Sequence, residues 1–354
     1  MLQMFVLALS LYNTWNRGVF LLCKITNLLI YRWIIIKWII GITIIFILLG
    51  IIWNTICKKI DEYKIKDAYG NSVQIDGKSM VVEIAGAEHD GPPIILLPGL
   101  GEPSPILEFK PLASELAKKY KVITIEPFGY GLSDGTKRDR TIENIVEELH
   151  ECVKNLGEEE YYLMGHSISG IYSLYWSQIY PNEIKGIIGI DPSVPKMTSK
   201  ENNPFPVSVQ LLNQISAYTQ KIVNITGVTR LLSINNPKKV VYADPQYLYS
   251  EKEWEVFRIL TLDKGYNATV MAEMKNLEKN MEVVEDMKIP REIPILEFVS
   301  KENCKTMPQW EQLHRDIIAD KENGKVILLE GSHYLHFEQK KAIVERTTQW
   351  IDNR

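Results

Sequence analysis

Hydrophobic and polar residues follow three different rhythms along this chain. In the first, residues 33–53 run with scarcely a polar break from Trp33 through Ile34, Ile35, Ile36, Lys37 and Trp38 to Trp53. As a helix, residues 34–53 extend about 30 Å, the thickness of a bilayer's hydrocarbon. Lys37 lies near one end, where it can snorkel to the headgroups. Trp33, Trp38 and Trp53 stand where interfacial aromatics are favoured. No small-x-small cleavage site follows; Asn54-Thr-Ile-Cys-Lys-Lys59 does, so the run reads as a membrane anchor over 33–56 rather than a signal peptide. Residues 1–32 carry two shorter apolar runs, 5–11 and 19–30, neither long enough to span, and form an N-terminal extension. Arg17, Lys24, Arg32 and Lys37 before the run balance Lys58, Lys59, Lys64 and Lys66 after it, so the positive-inside rule assigns no side.

The second rhythm begins near residue 60. Residues 73–75 and 80–85 alternate like half-buried strands around the turn signal Asp76-Gly77. Residues 94–97, 122–126, 161–164, 187–190, 293–299 and 326–329 are short and almost wholly apolar, as strands buried on both faces are. Helical spacing at 109–120, 141–156, 171–179, 310–320 and 341–351 separates most of them. Strands alternating with helices predict a mostly parallel sheet flanked by helices on both faces.

The third rhythm fills residues 192–290. No clear strand occurs there, and helical spacing appears at 207–225, 254–260 and 268–287. The pattern divides the soluble part into a first core segment over 60–191, a helical cap insert over 192–290 and a second core segment over 291–354. Met197, Phe205, Leu211, Leu212, Trp254 and Phe257 either line a pocket beneath that cap or pack it onto the core.

Composition narrows the chemistry. Of 354 residues, 45% are hydrophobic and 24% charged, which is the balance of a folded chain. A formal net charge of -4 leaves no basic footprint, so no nucleic-acid partner is expected. Cys23, Cys57, Cys152 and Cys304 are scattered without ligand spacing. No metal site or disulfide framework is expected, and Cys152 and Cys304 read as lone core thiols.

One stretch carries reactive chemistry. Tyr161-Tyr-Leu-Met-Gly165-His-Ser167-Ile-Ser-Gly170 passes from an apolar strand through small residues and a serine into an apolar helix. That context makes Ser167 a candidate nucleophile on a tight elbow, with Ser169 where a second glycine often stands. A serine needs a base, and the base an orienting acid. His333, in Glu330-Gly-Ser-His-Tyr-Leu-His336, follows the last strand in a small-residue loop and is preferred to His336.

With Leu97-Pro-Gly-Leu-Gly101, Glu126-Pro-Phe-Gly-Tyr-Gly-Leu-Ser-Asp134, Gly165-His-Ser-Ile-Ser-Gly170 and Gly331-Ser-His333 in that order, residues 70–352 resemble the α/β-hydrolase family. The resemblance is to bacterial membrane-anchored lipase, esterase and iminopeptidase-like members. It implies Ser167 as nucleophile, His333 as base and the N–H groups of Leu100 and Ile168 as the oxyanion hole. It also implies no cofactor, and a hydrolase domain on the outer face of the cell membrane. The family's usual acid position is occupied by Asn303. Glu302 beside it, and Asp191 at the end of the preceding strand, are the competing acids, with Glu302 ranked first. The expected activity is cleavage of an ester, thioester or amide in a small or lipid-like acyl substrate. A serine elbow argues against epoxide hydrolase chemistry, in which a carboxylate attacks. The departure at Asn303 keeps two other readings open: a non-catalytic binding module, and a lyase or acyltransferase using the same elbow. Oligomeric state is not legible.

Overall fold

The computed structural model describes the chain except residues 200, 203–206 and 319–321, with the side chains of 1–29 and 207–217 described in part. The chain divides into two compact units, residues 1–56 with 225–227, and residues 57–224 with 228–354.

The first unit is dominated by helix α1, Leu2–Ile65, which crosses the expected break at residue 32 without interruption. No proline lies in this stretch to stop it. Asn54 Nδ2 donates to the Ile225 carbonyl at 3.2 Å. Trp33, Trp38, Phe46 and most of the isoleucines between them are exposed. Among the described residues, Ile30–Ile65 is one helix long and apolar enough to cross a membrane.

The second unit holds an eight-stranded sheet: β1 (Asn71–Ile75), β2 (Lys78–Ala85), β3 (Ile94–Leu97), β4 (Val122–Glu126), β5 (Tyr161–His166), β6 (Ile184–Ile190), β7 (Ile295–Ser300) and β8 (Gly324–Leu329). Their spatial order is β1-β2-β4-β3-β5-β6-β7-β8. Only β1/β2 and β2/β4 pair antiparallel; β3 to β8 run parallel. β3, β4, β5 and β7 are buried at every residue, which accounts for their unbroken apolar character. Helices α2 (Pro105–Leu116), α3 (Ile142–Asn155), α4 (Ser169–Ile179) and α12 (Lys340–Asp352) cover the sheet, closing cores around Ile95, Leu163, Ile171 and Trp176 on one face and Ile94, Phe109, Met164 and Phe298 on the other.

Between β6 and β7 stand α5 (Val207–Ile225), α6 (Val228–Ser233), α7 (Glu251–Asp263) and α8 (Ala268–Val283). Val256, Phe257 and Leu260 of α7 close over Ile65 and Leu107, with Trp254 packed at the edge, so the two aromatics serve packing. Met197 packs on the main core, while the side chains of Phe205, Leu211 and Leu212 lie outside the described residues. In the same unit, Arg230 of α6 is buried against Asp61 and Asp263.

Two helices depart instructively from expectation. α2 begins four residues early because Ser104 caps it, accepting from Leu107 N at 3.4 Å, with Pro105 in the first turn. It also contains Pro111, which has no N–H for the Leu107 carbonyl; the Tyr249 hydroxyl donates to that carbonyl instead, at 3.0 Å. The stretch after β7, read as a loop, is the short helix α9, Lys301–Thr306, capped by Ser300 Oγ accepting from Asn303 N at 3.1 Å. Helix α10 (Trp310–Asp316) stops before the expected end, and α11 (Leu335–Glu338) follows the His333 loop. Among the described residues Cys57, Cys152 and Cys304 are free thiols.

Candidate active site

The site forms where β3, β5, β6, β7 and β8 end. β5 stops at His166 and α4 starts at Ser169, so the chain reverses within two residues. Ser167 takes φ 53°, a left-handed conformation that a non-glycine residue adopts at a cost of about 1–3 kcal/mol. The turn is held by Ser167 N donating to Ile190 O at 3.3 Å, and by Ser193 N and Gly170 N donating to Ser167 O at 2.6 and 2.9 Å. Crowding explains its small residues. A Cβ on Gly165 would lie 2.9 Å from Ser169 Cβ, and one on Gly170 would lie 2.4 Å from Ser193 O. Position 169 tolerates a serine because its hydroxyl has a use: Ser169 Oγ donates to Pro98 O at 2.5 Å, tying elbow to the loop after β3.

Asp191 and His333 meet directly. His333 Nδ1 lies 2.6 Å from Asp191 Oδ2, so the carboxylate takes the Nδ1 hydrogen and leaves Nε2 available as an acceptor. Asp191 is fully buried, and all four of its acceptor positions are used. Oδ1 accepts from Ser300 N at 2.8 Å and from the Trp310 indole at 2.9 Å; Oδ2 accepts from His333 and from Asn303 Nδ2, the latter at 2.5 Å. Burial by itself raises this carboxyl's pKa. The His333 hydrogen bond and charge, then the Ser300 N–H and the Trp310 indole, outweigh it and hold the group below its ordinary 3.8.

Of the two candidate acids, the one in contact with His333 is Asp191, not the first-ranked Glu302. Glu302 lies exposed in the first turn of α9, and among the described residues it makes no contact with His333. The Ser300 cap is the cause: it winds residues 301–306 into a helix that turns Asn303 inward and Glu302 outward. Asn303 occupies the position where the acid was sought, and it supports Asp191 instead of replacing it. His336 is buried elsewhere, with Nε2 3.2 Å from Glu108 Oε1.

Across from His333, the Leu100 and Ile168 N–H groups have no acceptor among the described residues. Ser167 Oγ likewise makes no side-chain hydrogen bond among them. Nothing in the spacing of Trp310 marks it in the sequence as a support for Asp191.

Glu108, His166 and His336 bring donor atoms within 4.8 Å of one another, all three residues buried. Within it, His336 Nε2 and Glu108 Oε1 stand 3.2 Å apart, and His166 Nδ1 is separately engaged by Glu102 Oε1 at 2.6 Å, a hydrogen-bond length.

The sequence profile described as alpha/beta hydrolase fold matches residues 92–227. The Bacillus subtilis (strain 168) protein described as "Uncharacterized protein YbdG" is 27% identical over 291 residues, covering 80% of this chain and 85% of its own length. Among solved structures, the epoxide hydrolase CorEH aligns with a TM-score of 0.61 at 18% identity, over 80% of this chain and 99% of its own. The serine hydrolase CCSP0084 from the bacterium Cycloclasticus zankles aligns with a TM-score of 0.57 at 15% identity, over 80% and 98%. An eight-stranded, mostly parallel sheet with a serine elbow after β5 and a histidine loop after β8 is the α/β-hydrolase fold, and the chain has that fold.

Proposed function

We propose that this α/β hydrolase is a serine hydrolase that cleaves an ester, thioester or amide through an acyl-enzyme on Ser167. The observation that carries the reading is the 2.6 Å contact between Asp191 and His333, which leaves Nε2 of the base available in the loop after β8, at the sheet end where β5 delivers Ser167. In this reading His333 Nε2 takes the Ser167 proton as Oγ bonds to the substrate carbonyl carbon. The oxygen's new charge is met by the Leu100 and Ile168 N–H groups, each donor contributing about 3–4 kcal/mol to the transition state. His333 then passes its proton to the leaving group as the carbonyl re-forms. Water, deprotonated by the same nitrogen, releases the acid and restores the serine. Asp191 stabilises the imidazolium throughout. The likeness to an epoxide hydrolase is one of fold, and the serine at this elbow supports acyl chemistry instead.

The substrate class is a small or lipid-like acyl compound, and the apolar 33–56 stretch of α1 is a single-pass anchor that keeps the enzyme at the cell membrane, with its hydrolase unit outside. The test is labelling of isolated membranes with a fluorophosphonate probe. Wild type labels on Ser167 and Ser167→Ala does not. Equal labelling of the two sinks the hydrolase reading, and recovery of the protein in an alkaline-carbonate supernatant sinks the anchor. Digestion of the hydrolase unit by protease added to intact cells is expected from its placement outside.

A further inference from the structure

Beneath the site lies a buried chain of four titratable side chains that the proposed mechanism does not use: Glu102, His166, Glu108 and His336, none more than 7% exposed. Hydrogen-bond logic fixes much of its state. His166 Nε2 lies 3.1 Å from the carbonyl oxygen of His333, which can only accept, so Nε2 carries a hydrogen. Nδ1 of the same ring lies 2.6 Å from Glu102 Oε1, and one further proton must occupy that contact, whichever partner holds it. Glu102 Oε2 has no hydrogen-bond partner among the described residues. The Glu108 carboxyl lies close enough to feel the charge of Glu102. Burial, then the charge of Glu102, pushes the Glu108 carboxyl well above the ordinary range, so Glu108 is the protonated member. Burial likewise holds His336 neutral, and its Nε2 meets Glu108 Oε1 at 3.2 Å. Among the described residues His336 Nδ1 has no hydrogen-bond partner.

The residues in this chain sit where three separate loops carry chemistry. Glu102 is two residues from Leu100, His166 immediately precedes Ser167, and the accepting carbonyl belongs to His333 itself. The backbone lies directly on the pair: a Cβ on Gly99 would stand 2.4 Å from Glu102 Oε1 and 2.8 Å from His166 Nδ1. We propose that Glu102 and His166 are positioning residues for the hydrolysis, a hydrogen-bonded brace that sets the oxyanion N–H, the nucleophile and the base in one register. The inference rests on the roles proposed above for Leu100, Ser167 and His333. Misplacing a reacting group by about 1 Å costs on the order of 100-fold in rate. The Ser169 to Pro98 hydrogen bond ties only two of the three loops, so it does not substitute for the brace.

The test uses full-length protein, with fluorophosphonate titration to count competent sites and p-nitrophenyl butyrate as substrate. Glu102→Ala and His166→Ala are expected to lose about 100-fold in kcat per titrated site while KM stays within about threefold, with labelling rates falling in parallel. Glu102→Gln is the rescue variant. Its amide can donate to an unprotonated Nδ1, preserving the contact with His166 without the mobile proton, and it is expected within about fivefold of wild type. Alanine variants with unchanged kcat per site, or a glutamine variant no better than alanine, overturn the brace. So does stoichiometric metal in the purified wild type. Failure of wild type to label on Ser167 would instead remove the hydrolase reading, and the brace with it.

Discussion

Asp191→Asn separates the two candidate acids most sharply. The substituted amide would keep Oδ1 for Ser300 N and the Trp310 indole, so the buried packing survives. Its Nδ2, however, would replace the acceptor that now receives both His333 Nδ1 and Asn303 Nδ2. Three donors would then crowd one contact. The imidazole relieves it by moving its hydrogen to Nε2, where it can no longer take a proton from Ser167. In a serine triad the same exchange of charge for amide lowers kcat roughly ten-thousand-fold, or about 5.5 kcal/mol of transition-state stabilisation. Glu302→Gln, on an exposed helical turn, should stay within about twofold. The assay is kcat at pH 7 per folded molecule, with far-UV circular dichroism as the folding check. A tenfold or smaller loss in Asp191→Asn, or a large one in Glu302→Gln, would refute the assignment. The acid limb supplies a second check. Because the folded carboxyl is held below its ordinary 3.8, its contribution to stability is complete above that value and is lost as pH falls through the lower, folded value. Asp191 thus stays charged across pH 5–8, and asparagine should remove pH dependence only below about 4.

Glu126 should behave in the opposite sense. Burial raises its pKa from 4.5 to about 7 against the hydrogen bonds from Leu132 N, Tyr69, Ile106 N and Ser104. A raised carboxyl stabilises the fold fully below its unfolded value and loses that contribution as pH climbs to the folded one, here roughly 3 kcal/mol between about pH 4.5 and 7. Urea unfolding of wild type should therefore weaken over that window and stay flat in Glu126→Gln; parallel slopes would sink the idea. Tyr249→Phe should cost about 1–2 kcal/mol, because the Leu107 carbonyl loses its donor in a buried setting. In a Pro111→Ala background the new N–H can take that role and the cost should shrink, so a double-mutant cycle with no coupling rejects the account.

What the sequence reveals here follows from where the information lies. The elbow is legible because crowding at Gly165 and Gly170 restricts those positions to small residues next to an apolar strand, all within ten positions. The parallel sheet is legible because strands buried on both faces write themselves as unbroken apolar runs. The acid is harder. Asp191-Pro192 reads equally as a turn, and the choice between it and Glu302 depends on whether residues 301–306 coil or wind. The deciding signal is local and was available: Ser300, three residues before Asn303, is an N-cap, and a helix starting there turns 302 and 303 to different sides. The brace is different in kind. Glu102 and His166 are 64 positions apart, with no periodicity joining them, and only the pairing of β3 with β5 brings their loops together. Local rules can place a nucleophile and even its capped neighbour. A buried proton-sharing chain exists only once the sheet has assembled, so its functional weight has to be measured loop against loop, through variants that remove the brace and leave each loop's own residues in place.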